Sequence, residues 1–175
     1  MKYLSLKEEQ LGFFNACLRT LSKTTSMQKM DAYLQHGRTS CLLHSIAVAY
    51  YSYWLAEALN VSCNAKSLIA GAMLHDYFLY DWHEPDAPMF HGFRHPGIAL
   101  RNAKKDVKLN EIECNIIQRH MFPMTPKPPR YRESVMVCLM DKLCSIVETL
   151  VPNPYARLKR ECLGISPLHL LPETN

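Results

Sequence analysis

The stretch SLIAGAML at 67–74 runs directly into His75-Asp76. An apolar run with no polar face reads as a helix enclosed on all sides. The rest of the chain must therefore supply neighbours that wrap it. The two ionisable side chains at its end are costly to bury unless something compensates them. A divalent metal ion does so economically, because it binds neutral imidazole and carboxylate together. A satisfied core histidine beside a helix-terminal aspartate is the competing reading of this dipeptide taken alone.

The flanking sequence reads as further helices. A first helix spans 6–21, with Leu11, Phe14, Cys17 and Leu18 at helical spacing and Ser5 as cap, Glu8 completing a capping box. A short second helix at 27–34 ends at Gly37. Thr39 or Ser40 caps a helix over 41–59, which carries His44 in its first turn. The central helix begins at Asn64 or Ala65. A broken polar loop, 81–92, holds Trp82, His83, His91, Pro85 and Pro88 and suits a wall or lid of a site. Pro96 fits the first turn of a short helix at 96–103, which puts His95 at its N-cap. Another helix from 109 or 110 closes at His120. A proline-rich loop leads to a last long helix at 133–150, whose apolar side is Val135, Val137, Leu139, Met140, Leu143, Ile146 and Val147. Asp141 interrupts that pattern. The remainder is a polar tail with a short apolar patch at 168–171, and His169 reads as surface. No strand of convincing length is visible, so the class is all-α. The organisation is an N-terminal helical extension at 1–37, a helical domain at 38–150 and a tail at 151–175.

Composition excludes several functions. Lysine and arginine number 20 against 16 acids, a formal net charge of +4 with no basic block. That rules against extended nucleic acid and is compatible with a small anionic ligand. No apolar stretch reaches the roughly 18 residues a membrane span needs. The seven cysteines form no CxxC pair and mostly sit in apolar runs. They read as reduced, buried thiols. Since the start MKYLSLKEEQ lacks a signal-peptide core, the expected location is cytoplasmic.

His44, His75, Asp76, His95, His120 and Asp141 lie on or beside separate apolar helices. Left apart, each carboxylate would be a separate buried charge. Brought together, they offer nitrogen and oxygen ligands for Mn, Fe, Co, Ni or Zn. Six protein ligands are too many for one open catalytic ion and suit two, with Asp76 the best bridge. Around them, Arg94, Arg119 and Lys142 offer countercharge to phosphate. Tyr80 and Trp82 offer a stacking wall, and His83 or His91 a proton for a leaving oxygen.

Taken in order, His44, His75-Asp76 and Asp141 resemble the HD superfamily of metal-dependent phosphohydrolases, over about residues 38–150. With His95 and His120 between, the pattern resembles the dinuclear branch. That branch includes cyclic-dinucleotide phosphodiesterases and bacterial hydrolases of symmetric diadenosine tetraphosphate. The compact size is nearer the latter, and the Gly-Tyr-Pro motif of the former is absent. The resemblance implies a helical bundle with the metal site in its middle. It implies a first ion held by His44, His75, Asp76 and Asp141, and a second by Asp76, His95 and His120. The implied activity is cleavage of a phosphoester or phosphoanhydride in a nucleotide or other small phosphorylated molecule, by attack of a metal-bound hydroxide. Asp76, His91 and Lys142 are the catalytic candidates. A dinuclear-iron oxygenase with the same ligand set, or a non-catalytic signalling module, are the alternatives. A homodimer is compatible with the sequence.

Overall fold

A computed structural model describes residues 4–162, and of residues 160–162 the backbone only. Seven α-helices are described: α1 (Glu8–Thr24), α2 (Cys41–Ala58), α3 (Ala65–Leu74), α4 (His91–Asp106), α5 (Glu111–Arg119), α6 (Arg132–Leu150) and α7 (Ala156–Cys162). A 3-10 helix, Met27–Ala32, follows α1. A two-stranded antiparallel ribbon, β1 (Leu34–His36) and β2 (Thr39–Ser40), leads into α2. The all-helical class holds, with this small ribbon as the exception.

The apolar run lies where its composition requires. α3 touches α1, α2, α4, α5 and α6, and from Ser67 on all of it but Ala70 is buried. Its start is fixed by Asn64, whose side-chain oxygen accepts from the Ser67 amide at 3.1 Å. Gly71 allows the close approach to α5: a Cβ there would lie 2.5 Å from Ile116 Cδ1. Ser40 caps α2 by accepting from the Leu43 amide. Asn110 and Glu113 form a reciprocal capping box at α5. Gly37 has φ +57° in the ribbon turn, and a Cβ there would collide with the Glu148 carbonyl. The ribbon is thereby pressed onto the end of α6.

Several sequence expectations shift. α1 starts at Glu8 rather than at 6, and Lys7 takes the cap position, its amide donating to Gln10 Oε1 at 2.9 Å. The segment after Gly37 and before it forms the ribbon, and the expected helix at 27–34 is a single 3-10 piece. α4 begins at His91, five residues before Pro96, so His95 sits inside the helix and not at its cap. Residues 156–162, expected as tail, form α7. The largest difference is on α6. Of the expected apolar side, Val137 and Met140 are buried, but Val135, Leu139, Leu143 and Ile146 are exposed, while Glu133, Ser134, Asp141, Cys144 and Glu148 are buried. The inner side holds the polar centre together with Met136, Val137 and Met140, and four of the aliphatics are left on the outer side. The apolar patch at 168–171 and His169 lie outside the described residues. No described helix is long and apolar enough to cross a membrane, and the six cysteines at 17, 41, 63, 114, 138 and 144 are free.

Candidate metal centre

The polar residues of the inner helices converge. His44 comes from the first turn of α2, His75-Asp76 from the end of α3, His95 from α4, His120 from the end of α5 and Asp141 from the middle of α6. All are buried, from complete enclosure of His44 and His75 to 6% exposure of Asp141. Asp76 is the hub. Its Oδ1 lies 3.1 Å from His95 Nε2 and 3.5 Å from His120 Nε2. Its Oδ2 lies 3.3 Å from His75 Nε2 and 3.8 Å from His44 Nε2. Asp141 Oδ1 is 3.2 Å from His44 Nε2 and 3.6 Å from His75 Nε2. Two overlapping groups of metal-ligand type result, His44 with His75 and Asp141, and His75 with Asp76 and His120. Within each, the ligand atoms lie within 4.8 Å of one another.

Local structure sets which ring nitrogen faces inward. His75 Nδ1 donates to the Ala72 carbonyl at 2.6 Å, His95 Nδ1 to His91 O at 3.0 Å, and His120 Nδ1 to Ile117 O at 2.9 Å. Each bond is made to the preceding helical turn, so the helix itself orients the ring. His44 differs: its Nδ1 meets the Glu148 carboxylate at 2.9 Å and 3.0 Å, and Glu148 is held in turn by the Tyr155 hydroxyl at 2.8 Å. A carboxylate behind a metal-ligating histidine fixes its tautomer and raises its basicity.

These inward atoms fit a cation. His95 Nε2 and His120 Nε2 face each other at 2.8 Å. With both Nδ1 atoms donating outward, two lone pairs are set against one another, and only a proton or a metal between them relieves this. His75 Nε2 and Asp76 Oδ1 are buried without a hydrogen-bond partner, which a folded chain avoids unless something else fills the place. The donors are imidazole and carboxylate, with no thiolate among them, as divalent transition ions in an open site prefer.

Charge distribution agrees. Burial alone would push the Asp76 carboxyl up, but the imidazoles around it, His75 first and then His95, outweigh it and hold it well below the usual range. Asp141 is also held down against burial, by its bond to His44 and the nearby His75 imidazole. Burial lowers His44, yet its bonds to Asp141 and Glu148 prevail and raise it to about 9. His120 is pushed down to about 3, by burial first and then by its imidazole neighbours.

The centre forms the floor of a cavity of about 540 Å³. Gln35, His36, Trp82, His91 and Lys142 line its walls, with Met121, Pro123 and Met124 opposite. Trp82 stacks on His91 at 5.2 Å, and His91 on His95 at 4.6 Å. The Tyr80 hydroxyl bonds His91 Nδ1 at 2.8 Å. Lys142 Nζ donates to the His120 carbonyl at 2.6 Å and stands 3.7 Å from Asp141 Oδ2. Arg94 and Arg119 do not line the cavity: Arg94 is exposed on α4, and Arg119 Nε is buried at the end of α5.

Two residues of the centre escaped the sequence reading. Glu148 lies two helical turns beyond Asp141, on the same face of α6, so a second acid at that spacing was a usable signal. Gln35 donates through Nε2 to Asp76 Oδ2 and accepts from Cys41 Sγ at 2.9 Å. It stands in β1, and no pattern in its sequence neighbourhood points to it.

No curated protein and no solved structure matches the chain. A family model for the HD domain matches residues 42–146, a span that begins at the helix bearing His44 and ends beyond Asp141 on α6. HD domains bind divalent metals and are largely metal-dependent hydrolases, with non-catalytic members among them. The match is to the domain as a whole and does not reach a particular branch. With His44, His75-Asp76 and Asp141 gathered at one centre, this chain belongs to the HD domain family.

Proposed function

We propose that the chain is a phosphohydrolase that uses two divalent transition ions to cleave a phosphoester or phosphoanhydride bond in a small phosphorylated molecule, with nucleotides the first class to test. The observation that carries this reading is the double use of Asp76. Its two oxygens face different histidines, His95 and His120 on one side and His44 and His75 on the other. A carboxylate so placed serves two adjacent ions, whereas one ion with an open position needs fewer protein ligands. When bound, such ions polarise a phosphoryl oxygen and lower the pKa of a coordinated water.

The chain's own residues supply the rest. Gln35 orients Asp76 by donating to the oxygen that faces His75. Glu148 orients His44. Lys142, anchored on the His120 carbonyl, presents a fixed positive charge to a phosphoryl oxygen in the cavity. Burial and the adjacent His95 push His91 down to about 4, so it is neutral at physiological pH. With Tyr80 bonded at Nδ1, its Nε2 meets a leaving oxygen as a neutral hydrogen-bond donor. Trp82, held against His91, gives an aromatic wall on which a base can stack.

Among the described lining residues, Lys142 is the only lysine or arginine. A substrate with a short phosphate group therefore suits the cavity better than one with a long polyphosphate. The test is a panel of nucleoside monophosphates, cyclic and dinucleoside phosphates and simple phosphoesters, each with Mn, Fe, Co, Ni and Mg. Phosphate or nucleotide release that disappears in Asp76→Asn supports the reading. Full metal loading with no turnover across the panel overturns it.

A further inference from the structure

The outer face of α6 breaks the rule for a solvent-facing helix. Beyond its first turn, the exposed positions are Val135, Leu139, Leu143, Ile146, Thr149 and Leu150. All but Thr149 are large aliphatics, and the five are between 45% and 74% exposed. A surface helix normally carries polar residues outward. Here the charged residues Asp141 and Glu148 face inward to the centre, and these five aliphatics face away.

The spacing is regular. Leu139, Leu143, Ile146 and Leu150 follow one another at four, three and four residues, the alternation of a seam between two packed helices. Beside it lies a groove of about 240 Å³ between α2 and α6, with Tyr51, Trp54, Val147 and Tyr155 among its walls and no polar surface. The seam provides protruding side chains, and the groove provides a place to receive them.

We propose that this face is the interface of a homodimer, in which α6 of one copy lies along α6 of a second copy. Three features select a second copy as the occupant. Ridge and groove occur side by side on one surface, so a twofold axis brings each onto its counterpart and closes the assembly. No acid and no base projects from the seam positions, so two identical faces meet without opposing like charges. The exposed aliphatics together offer on the order of 500 Å² per copy, and the groove walls extend this toward the roughly 800 Å² per partner of a stable interface.

The test uses the full-length, metal-loaded chain. Sedimentation velocity over the micromolar range is expected to give twice the chain mass. Ile146→Glu and Leu143→Glu, each at the centre of the seam, are expected to weaken the dimer by roughly a hundredfold or more. Helix content and metal content should stay unchanged, since both side chains point away from the centre. Hydroxyl-radical footprinting of the unaltered chain gives a check independent of either variant: Leu143 and Ile146 should gain protection on concentration. A monomer at all concentrations overturns the proposal, and with these residues already protected it assigns residues 163–175 as the cover instead. A dimer that both variants leave intact also overturns it.

Discussion

Asp76 and Glu148 make different demands on the same centre. Asp76 faces the imidazoles on both sides of the centre, so Asp76→Asn is expected to lower metal content most and reduce activity to background, read by elemental analysis and by turnover. Glu148 acts through His44. Its replacement in Glu148→Gln keeps the size and one hydrogen bond but loses the charge. Metal affinity should fall about 10–100-fold, with the helical spectrum unchanged, as a metal titration would measure. The metal-free centre also titrates. His44, raised to about 9 between Asp141 and Glu148, is protonated at neutral pH, and an ion must displace that proton. Metal affinity should therefore rise with pH through the neutral range, by about tenfold per unit for each proton displaced. Binding measured in buffers of different ionisation enthalpy would reveal the released protons; affinity independent of pH between 6 and 9 would contradict this assignment. For stability the signs differ. The His44 contribution is fully present below its ordinary value of 6.5 and is lost as pH rises through about 9. His91 and His120, held down at about 4 and about 3, act oppositely: their neutral folded forms lose stability as pH falls below 6.5. Asp76 and Asp141 add a further loss as pH falls past the ordinary carboxylate range of 3.8.

At the scale of elements, the centre depends on how closely α3 and α5 approach, because these helices end in His75 and His120. Gly71 sets that approach. Gly71→Ala would place a methyl 2.5 Å from Ile116 Cδ1 and 3.0 Å from its Cβ. A β-branched side chain inside a helix has one favoured rotamer and cannot swing aside. The substitution should cost about 1–3 kcal/mol, measured by denaturant unfolding, and should weaken metal binding as the two histidines separate. Asn102 on α4 holds the turn after the ligand pair, donating to the Tyr77 and Phe78 carbonyls at 3.2 Å and 3.0 Å. Asn102→Ala leaves those carbonyls unpaired, with an expected loss of about 1–3 kcal/mol. The elements were legible in sequence to the extent that composition decided them. α2 and α3 are enclosed, and their apolar runs say so. α4 was cut short because Pro96 reads as a helix start, whereas the chain tolerates it in the second turn, where Phe90 opens the helix from a left-handed conformation. The ribbon between Leu34 and Ser40 is held by a glycine turn and by packing on α6, and so short a strand leaves no periodicity to read.

For the whole molecule, the centre is a joint between helices that are otherwise connected through apolar packing. Without a cation, Asp76 Oδ1 and His75 Nε2 are unpartnered and two imidazoles face one another. Metal is therefore expected to stabilise the fold as well as to serve the reaction. At about a thousandfold excess over the dissociation constant the gain is about 4 kcal/mol, or a rise of roughly 8–16 °C in Tm for a chain of this size. Thermal unfolding before and after treatment with a chelator checks this, and an unchanged Tm would mean that the ligand residues do not hold an ion.

Sequence alone singled out six residues of the centre. His44, His75, Asp76, His95, His120 and Asp141 are ionisable groups on apolar helices, and burying such groups costs less where they meet, so energetics favours their convergence. Tertiary structure decided what supports them and what faces outward. Gln35 and Glu148 are ordinary polar residues until the ribbon and α6 carry them to Asp76 and His44. Val135, Leu139, Leu143 and Ile146 have the composition of a core, but α6 has one inward face, which Asp141 and Glu148 share with Met136, Val137 and Met140. A helix can turn only one side inward, so the orientation that brings both acids to the centre and buries Val137 and Met140 leaves Val135, Leu139, Leu143 and Ile146 on the surface.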